Sequence, residues 1–251
     1  MAPRKSAVPY ATIETVFLDA GNTLISMDYA RIATELDALG IGASAADIRR
    51  AEAAARPATS QHIARGKHPD NSDHFAFHLT HTLARLETRT ASGATLETAA
   101  LAQRLAATLK KPGEDYRLWS WVLPRVPEAL QELRTLGLRL VVVSNSDGSV
   151  ARALADLGLA LHLNAIFDSH VVGFEKPDPR FFTHALRESG AAAESTVHVG
   201  DMYYQDVQGS RAAGVHSVLL DPYGDWQVAD CERCRDLSEV VERIRRARAR
   251  R

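Results

Sequence analysis

Five side chains in this 251-residue sequence have the types and surroundings needed to do chemistry. Asp19 directly follows the apolar run Val16-Phe17-Leu18 in "TVFLDAGNTLI", Ser144 ends "RLVVVS", Lys176 stands in "GFEKPDPRFF", and Asp201 and Asp206 follow "TVHVG" in "DMYYQD". A carboxylate can act as nucleophile, base or ligand for a hard cation, an ammonium group can balance clustered carboxylates or grip an anion, and a hydroxyl can donate to one. Each residue also has a plain structural use. Asp19 suits a strand-end turn, Ser144 a cap on the helix opened by "DGSVARAL", Lys176 a solvated loop, and Asp201 or Asp206 a cap for "VQGSRAAG". The choice between these uses depends on whether the fold brings the five together.

The elements around them say that it should. "TVFLDAGN", "RLVVVSNSDG", "TVHVGDMYYQD" and "VHSVLLDP" are β-branched apolar runs without alternation, the mark of strands buried on both faces of a parallel sheet. Between them "PEALQELRTLG", "ARALADLG" and "DPRFFTHALRESG" carry helical spacing and stop at Gly137, Gly158 and Gly190, and a last helix closes the sequence. This β-α-β-α order predicts an α/β fold with a Rossmann-like, doubly wound parallel sheet, in which ligands bind at the carboxyl ends of the strands. Asp19, Ser144 and Asp201 fall there. Residues 27–118 interrupt the scheme, being rich in Ala, Leu and charge. Ile32, Leu36 and Leu39, then Phe75, Leu79, Leu83 and Leu86, then Leu101, Leu105 and Leu109 are helically spaced, with "ASGAT" as a break between the last two groups. The expectation is an inserted helical domain of about four helices.

Taken in order, the four loops resemble those of the haloacid dehalogenase superfamily, whose members are mostly magnesium-dependent phosphatases with a Rossmann-like core and a mobile cap. The resemblance covers residues 13–26 and 119–222. Its first motif, two apolar residues then D-x-D-[GN]-T-[LV], is met by Asp19, Asn22, Thr23 and Leu24 but not by Gly21. Its later motifs fall on Ser144, on Lys176 ahead of a proline, and on Gly200, Asp201 and Asp206. The resemblance implies a catalytic core of residues 1–26 and 119–251 and a helical cap of residues 27–118. It implies Asp19 as the nucleophile that forms an aspartyl-phosphate, and Mg2+ held by Asp19, the Gly21 carbonyl, Asp201 and Asp206. A small phosphorylated substrate would be gripped by Asn22, Thr23, Ser144, Asn145 and Lys176.

Gly21 departs from that pattern. In the family's phosphatases the acid at this position protonates the leaving alkoxide and then deprotonates the attacking water. Glycine does neither, and missing acid–base catalysis costs an alkyl ester about 10² to 10⁴ in rate. Three readings follow: a phosphohydrolase in which another group, a water or a good leaving group replaces the acid; a 2-haloacid dehalogenase, whose halide leaves without a proton; or a non-catalytic module that binds phosphate or metal. Halide displacement has no use for a cation at Asp201, so retention of Asp201 and Asp206 favours the first. A phosphonate-cleaving branch would need a cap lysine for a Schiff base, and the context of Lys67 gives that little support.

The remaining features exclude more than they suggest. A net charge of -1 offers no basic field to hold nucleic acid, and the local run "RIRRARARR" reads as the solvated end of the last helix, where cations suit the helix dipole. No apolar stretch reaches the roughly 18 residues of a membrane span, and no apolar signal core precedes the first strand, so a cytoplasmic place is the expectation. Cys231 and Cys234 form a lone C-x-x-C without the further ligands of a zinc site. His62, His68, His74, His78 and His81 cluster in the insert. His74, His78 and His81 share a helical face, which reads as a solvated stripe, a source of a substitute acid, or a zinc site.

Overall fold

Apolar runs without alternation are stable only where both faces of a sheet are covered, and the chain builds that sheet. The computed structural model describes residues 7–66, 71–86, 98–110, 115–228 and 230–250. Lys67, His68 and the "ASGAT" break lie outside these residues. The strands are β1 (Thr15–Leu18), β2 (Ile25–Ser26), β3 (Trp121–Val122), β4 (Arg139–Ser144), β5 (Ala165–Asp168), β6 (Thr196–Gly200), β7 (His216–Leu220) and β8 (Glu232–Cys234). Six lie parallel in the order β5-β4-β1-β6-β7-β8, while β2 and β3 form a small antiparallel ribbon. This is the doubly wound α/β order, whose direction of winding reverses between β1 and β6. Sequence pattern does not single out β5, a strand of only four residues, nor the two-residue strands of the ribbon.

The helices are α1 (Tyr29–Asp37), α2 (Ala45–Ala64), α3 (Asn71–Leu83), α4 (Thr98–Leu109), α5 (Val126–Thr135), α6 (Val150–Asp156), α7 (Ser169–Val172), α8 (Pro179–Ser189), α9 (Gly209–Ala212) and α10 (Leu237–Arg248). The chain divides into two compact units, Met1–Met27 with Asp115–Arg251, and Asp28–Glu114. In the sheet unit, successive β1 side chains serve opposite faces. Val16 and Leu18 join Leu140, Val142, Val197 and Val199 in a cluster with Leu130 and Leu133 of α5 and Val240 and Ile244 of α10. Phe17 joins Val141, Val143 and the α8 residues Phe181, Phe182 and Ala185 on the other side. Each large side chain so buried stabilises by about 1.5–3 kcal/mol, which is why Asp19 can be delivered from a rigid strand end. The arginine-rich end of α10 is not simply solvated. Arg248 donates to the carbonyls of Ile13, at 2.6 Å, and Leu136, tying the tail back to the core. No helix among the described residues is long and apolar enough to cross a membrane.

The helical unit has a charged keystone. Glu52 and Arg56 stand one turn apart in α2, both buried, with Arg56 Nη2 2.7 Å and Nε 3.1 Å from the Glu52 carboxylate. The Tyr29 hydroxyl of α1 donates to the same carboxylate at 3.0 Å, and His78 Nε2 of α3 lies 3.0 Å from it. Three helices thus meet at one side chain. Burial by itself would raise the Glu52 pKa, but Arg56 and His78 outweigh it and hold the carboxyl well below the usual glutamate range. A folded-state value below the unfolded one means that this stabilisation is complete above the ordinary value of 4.5 and is lost as pH falls below it. Glu52→Gln should cost about 3–5 kcal/mol at neutral pH, because it strands a buried guanidinium. Urea unfolding of wild type and variant at neutral and acid pH measures both effects, and the gap between the two proteins should narrow in acid.

Candidate active site

The carboxyl ends of β1 and β6 flank the reversal in strand order, and each delivers an aspartate. Asp19 follows β1 directly, with its own N–H held by the Val199 carbonyl of β6 at 2.9 Å. Asp201 follows β6, and its Oδ2 accepts from Asn22 Nδ2 at 3.2 Å. Asn22 adopts a left-handed backbone, φ 52°, which asparagine tolerates better than most residues, and the Ser26 hydroxyl donates to its Oδ1 at 2.6 Å.

Lys176 enters from the loop before α8 and is 4% exposed. Its Nζ donates to Asp19 Oδ1 at 2.6 Å and to Asp206 Oδ1 at 2.7 Å. The side chain of Asn145 fixes the lysine's backbone, accepting from its N–H at 2.8 Å and donating to its carbonyl at 2.9 Å. Asp206 rides on a π-helical turn, Tyr203–Gln208. Its Oδ2 accepts the Met202 N–H at 2.8 Å, and its Oδ1 lies 2.9 Å from His198 Nε2. The carboxylate sits directly on Gly200, where a Cβ would fall 2.2 Å from Asp206 Cγ. Only glycine leaves that room.

One carboxylate oxygen from each of Asp19, Asp201 and Asp206 lies within 4.8 Å of the others, the single such cluster among the described residues that could hold a metal ion. Burial pushes the Asp19 carboxyl above the usual aspartate value, against the pull of Lys176. Burial opposes the charge of Asp206 too, yet Lys176 and His198 hold its carboxyl below the ordinary value. Burial also disfavours the Lys176 ammonium, but the two aspartates more than compensate and raise its pKa. His198, wholly enclosed, is lowered by burial against the opposing pull of Asp206.

The fold thus brings together Asp19, Lys176, Asp201 and Asp206, with Asn22 beside them. Ser144 is buried at the end of β4, where the strand register pairs it with Asp168 of β5. Thr23 is 1% exposed, and its hydroxyl has no partner among the described residues. The Asn145 side chain is occupied by the Lys176 backbone. Sequence reading passes over His198, although a histidine inside an otherwise apolar strand must find a hydrogen-bond partner when buried, and that was the available signal. It also passes over Trp119, whose indole packs on Gly21.

Of the insert's described histidines, His62, His74, His78 and His81 are half-buried rather than a solvated stripe. His78 has both ring nitrogens engaged within the helical unit, Nδ1 by Thr59 at 2.8 Å and Nε2 by Glu52. His62 stacks on Phe77 with ring centroids 3.5 Å apart. Among the described residues no histidine joins a metal-binding group. Cys231 and Cys234 are buried thiols, and burial pushes Cys234 up to about 12, far from a reactive thiolate.

Comparison with known proteins agrees with this geometry. The family model of haloacid dehalogenase-like hydrolases matches residues 13–214. Haloacid dehalogenase-like hydrolase domain-containing protein 3 of Homo sapiens is 44% identical over 99 residues, which are 39% of this chain and 39% of that protein. Phosphoserine phosphatase of Thermus thermophilus is 42% identical over 102 residues, 39% of this chain and 41% of that protein. The matched segment therefore spans about two fifths of these curated relatives. Among solved structures, a magnesium-bound HAD-hydrolase from Bacillus subtilis superposes with a TM-score of 0.64 at 18% identity, covering 92% of this chain and 98% of that one, a likeness of fold. With its sheet order, its converging strand-end carboxylates and a family match across most of its length, the chain belongs to the haloacid dehalogenase-like hydrolases.

Proposed function

We propose that the chain is a magnesium-dependent phosphohydrolase that cleaves a small phosphorylated metabolite through an aspartyl-phosphate on Asp19. The observation that carries this reading is one ammonium group, Lys176, bridging two of three clustered carboxylates. Three carboxylates against one ammonium leave an excess of negative charge, which suits a divalent cation, and carboxylate oxygens are the hard donors magnesium takes. Asp19, Asp201 and Asp206, with the Gly21 carbonyl, would hold the ion, and magnesium bound there would screen the phosphate's charge from the attacking carboxylate.

Lys176 holds Asp19 by Oδ1, leaving Oδ2 to attack. An Asp19 oxygen forms a bond to phosphorus as the bond to the leaving oxygen breaks, and the leaving oxygen takes the electron pair. Water then attacks phosphorus, its proton passes to solvent or phosphate, and Asp19 departs as the carboxylate. By the family resemblance Lys176 and the Ser144 hydroxyl would grip phosphate oxygens, while Asn22 steadies Asp201. The buried Thr23 hydroxyl has a hydrogen bond still to make. The Asn145 side chain acts indirectly, by fixing Lys176. The helical unit takes the part of the family's cap. That phosphoserine phosphatase and a glyceraldehyde 3-phosphate phosphatase of Methanopyrus kandleri are relatives supports a small phosphorylated molecule as substrate, without fixing its leaving group.

Turnover measured on alkyl, aryl and acyl phosphates and on 2-haloacids, with and without magnesium, tests the reading. Phosphate release that requires the cation is expected; haloacid turnover without it would instead make the chain a dehalogenase. Asp19→Asn should abolish turnover and leave thermal unfolding unchanged within a few degrees, since the amide is close in shape and a poor nucleophile. Asp201→Asn should weaken magnesium binding in calorimetry, with activity partly recovered by excess cation. Gly200→Ala should do the same without altering any ligand, by pushing Asp206 out of place, and unchanged affinity in that variant would show that Asp206 is not needed for the ion.

A further inference from the structure

Gly21 lacks the backbone reason that most glycines have, because its φ is not in the left-handed region. Its reason is a neighbour. A Cβ built on Gly21 would lie 3.1 Å from Cζ3, 3.3 Å from Cη2 and 3.7 Å from Cε3 of Trp119, three consecutive carbons on the six-membered edge of the indole, and the first two are tighter than about nine in ten real Cβ contacts, so the ring would have to give by a few tenths of an ångström. Trp119 is tied into the sheet unit. It is half-buried against the sheet's main apolar cluster, and it stands two residues before β3, which is anchored to β2 through the pairs Ile25 with Val122 and Ser26 with Trp121 and through the Leu123 N–H to the Leu24 carbonyl at 3.0 Å. The same short ribbon therefore fixes both the loop that follows Asp19 and the ring that packs on it.

The contact has a chemical consequence. Position 21 lies between Asp19 and Asn22, which holds Asp201, so a side chain there would stand beside the reacting centre. The space is instead filled by a hydrocarbon edge that has no proton to give. We propose that Trp119 is a specificity-determining residue. Its indole takes the room that any side chain at position 21 would need, and the Gly21–Trp119 pair confines turnover to phosphates whose leaving oxygen departs unprotonated, namely acyl, enol and aryl phosphates. This rests on the phosphohydrolase reading above. In the step concerned, the Asp19 oxygen bonds to phosphorus, and the bond from phosphorus to the leaving oxygen breaks. The group leaves as carboxylate, enolate or phenolate with the electron pair. The parent acids have pKa values of roughly 4 to 10, as for carboxyl and phenol groups, so no proton is needed at the moment of departure. An alkoxide has no such stability.

The test uses the whole chain with magnesium and three probes: acetyl phosphate, 4-nitrophenyl phosphate and glycerol 3-phosphate. Wild type should turn over the first two at least about 10²-fold faster than the third, the usual worth of a general acid. Gly21→Asp alone should give no gain on glycerol 3-phosphate, because its Cβ meets the ring. Gly21→Asp with Trp119→Phe, which shortens the ring while keeping an aromatic in place, should raise the glycerol 3-phosphate rate about tenfold or more relative to the nitrophenyl rate measured on the same variant. Stability gives a readout apart from activity. Gly21→Ala should lower Tm by a few degrees in wild type and have little effect beside Trp119→Phe. An equal Tm loss in both backgrounds, a full gain from Gly21→Asp alone, or a double variant that folds and speeds neither ester would overturn the pairing. Wild-type rates that do not depend on the leaving group would overturn the substrate class alone. No turnover of any of the three phosphates would remove the phosphohydrolase reading and this inference with it.

Discussion

One ammonium group organises this site. Lys176 Nζ donates to carboxylates that arrive from different parts of the chain, Asp19 after β1 and Asp206 on the turn after β6, at 2.6 and 2.7 Å. Buried carboxylates so close repel one another and resist ionisation, so the strand ends could not converge without a cation between them. Around that constraint the neighbouring residues are arranged for room and hold. Asn145 clamps the lysine's backbone from both sides, the Met202 N–H and His198 engage one oxygen each of Asp206, and Gly200 yields the space in which the carboxylate lies. The lysine accounts for one positive charge only, so the three-carboxylate cluster could hold a metal ion as well.

The parts of the fold that could be read from the sequence are those whose physics repeats along the chain. β1, β4, β6 and β7 announce themselves because both of their faces are buried, and α5, α6 and α8 because leucines or aromatics recur at helical spacing before a terminating glycine. The longest helix, α2, was not individually legible. Its sequence "AADIRRAEAAARPATSQHIA" buries Ala51, Ala53 and Ala55 together with Glu52 and Arg56, so its inward face is made of small and charged residues that look like a surface. The insert's histidines misled for a related reason. Spacing told that His74, His78 and His81 share a face, but not that α2 presents a buried glutamate and a threonine to it.

The site was legible to the extent that its residues act by type. Asp19, Lys176, Asp201 and Asp206 are charged residues next to apolar runs, and a parallel sheet can only gather them at its carboxyl edge. Residues that act by contact were not. Asn145 looks like a ligand-facing amide from its place after Ser144, whereas its hydrogen bonds are spent on a backbone segment 31 residues away. His198 looks like strand filler, yet it is the partner of Asp206. A pairing between distant segments leaves no trace in the local pattern.

Two glycines show how one residue type can serve opposite ends. At Gly200 the missing Cβ admits a carboxylate, so the glycine completes the charged cluster. At Gly21 the missing Cβ admits an indole edge, so the glycine keeps a polar group out. Neither position needs a left-handed backbone, and neither is explained by turn geometry. Both loops follow strands at the reversal of the sheet, where the backbone is rigid, so the choice of what fills each gap is settled by side-chain volume and not by flexibility. The acid-free first motif is therefore more than the loss of a carboxylate. Restoring one would require the ring to move, and the ring is held by the β2–β3 ribbon, which makes the indole and the glycine a single structural decision.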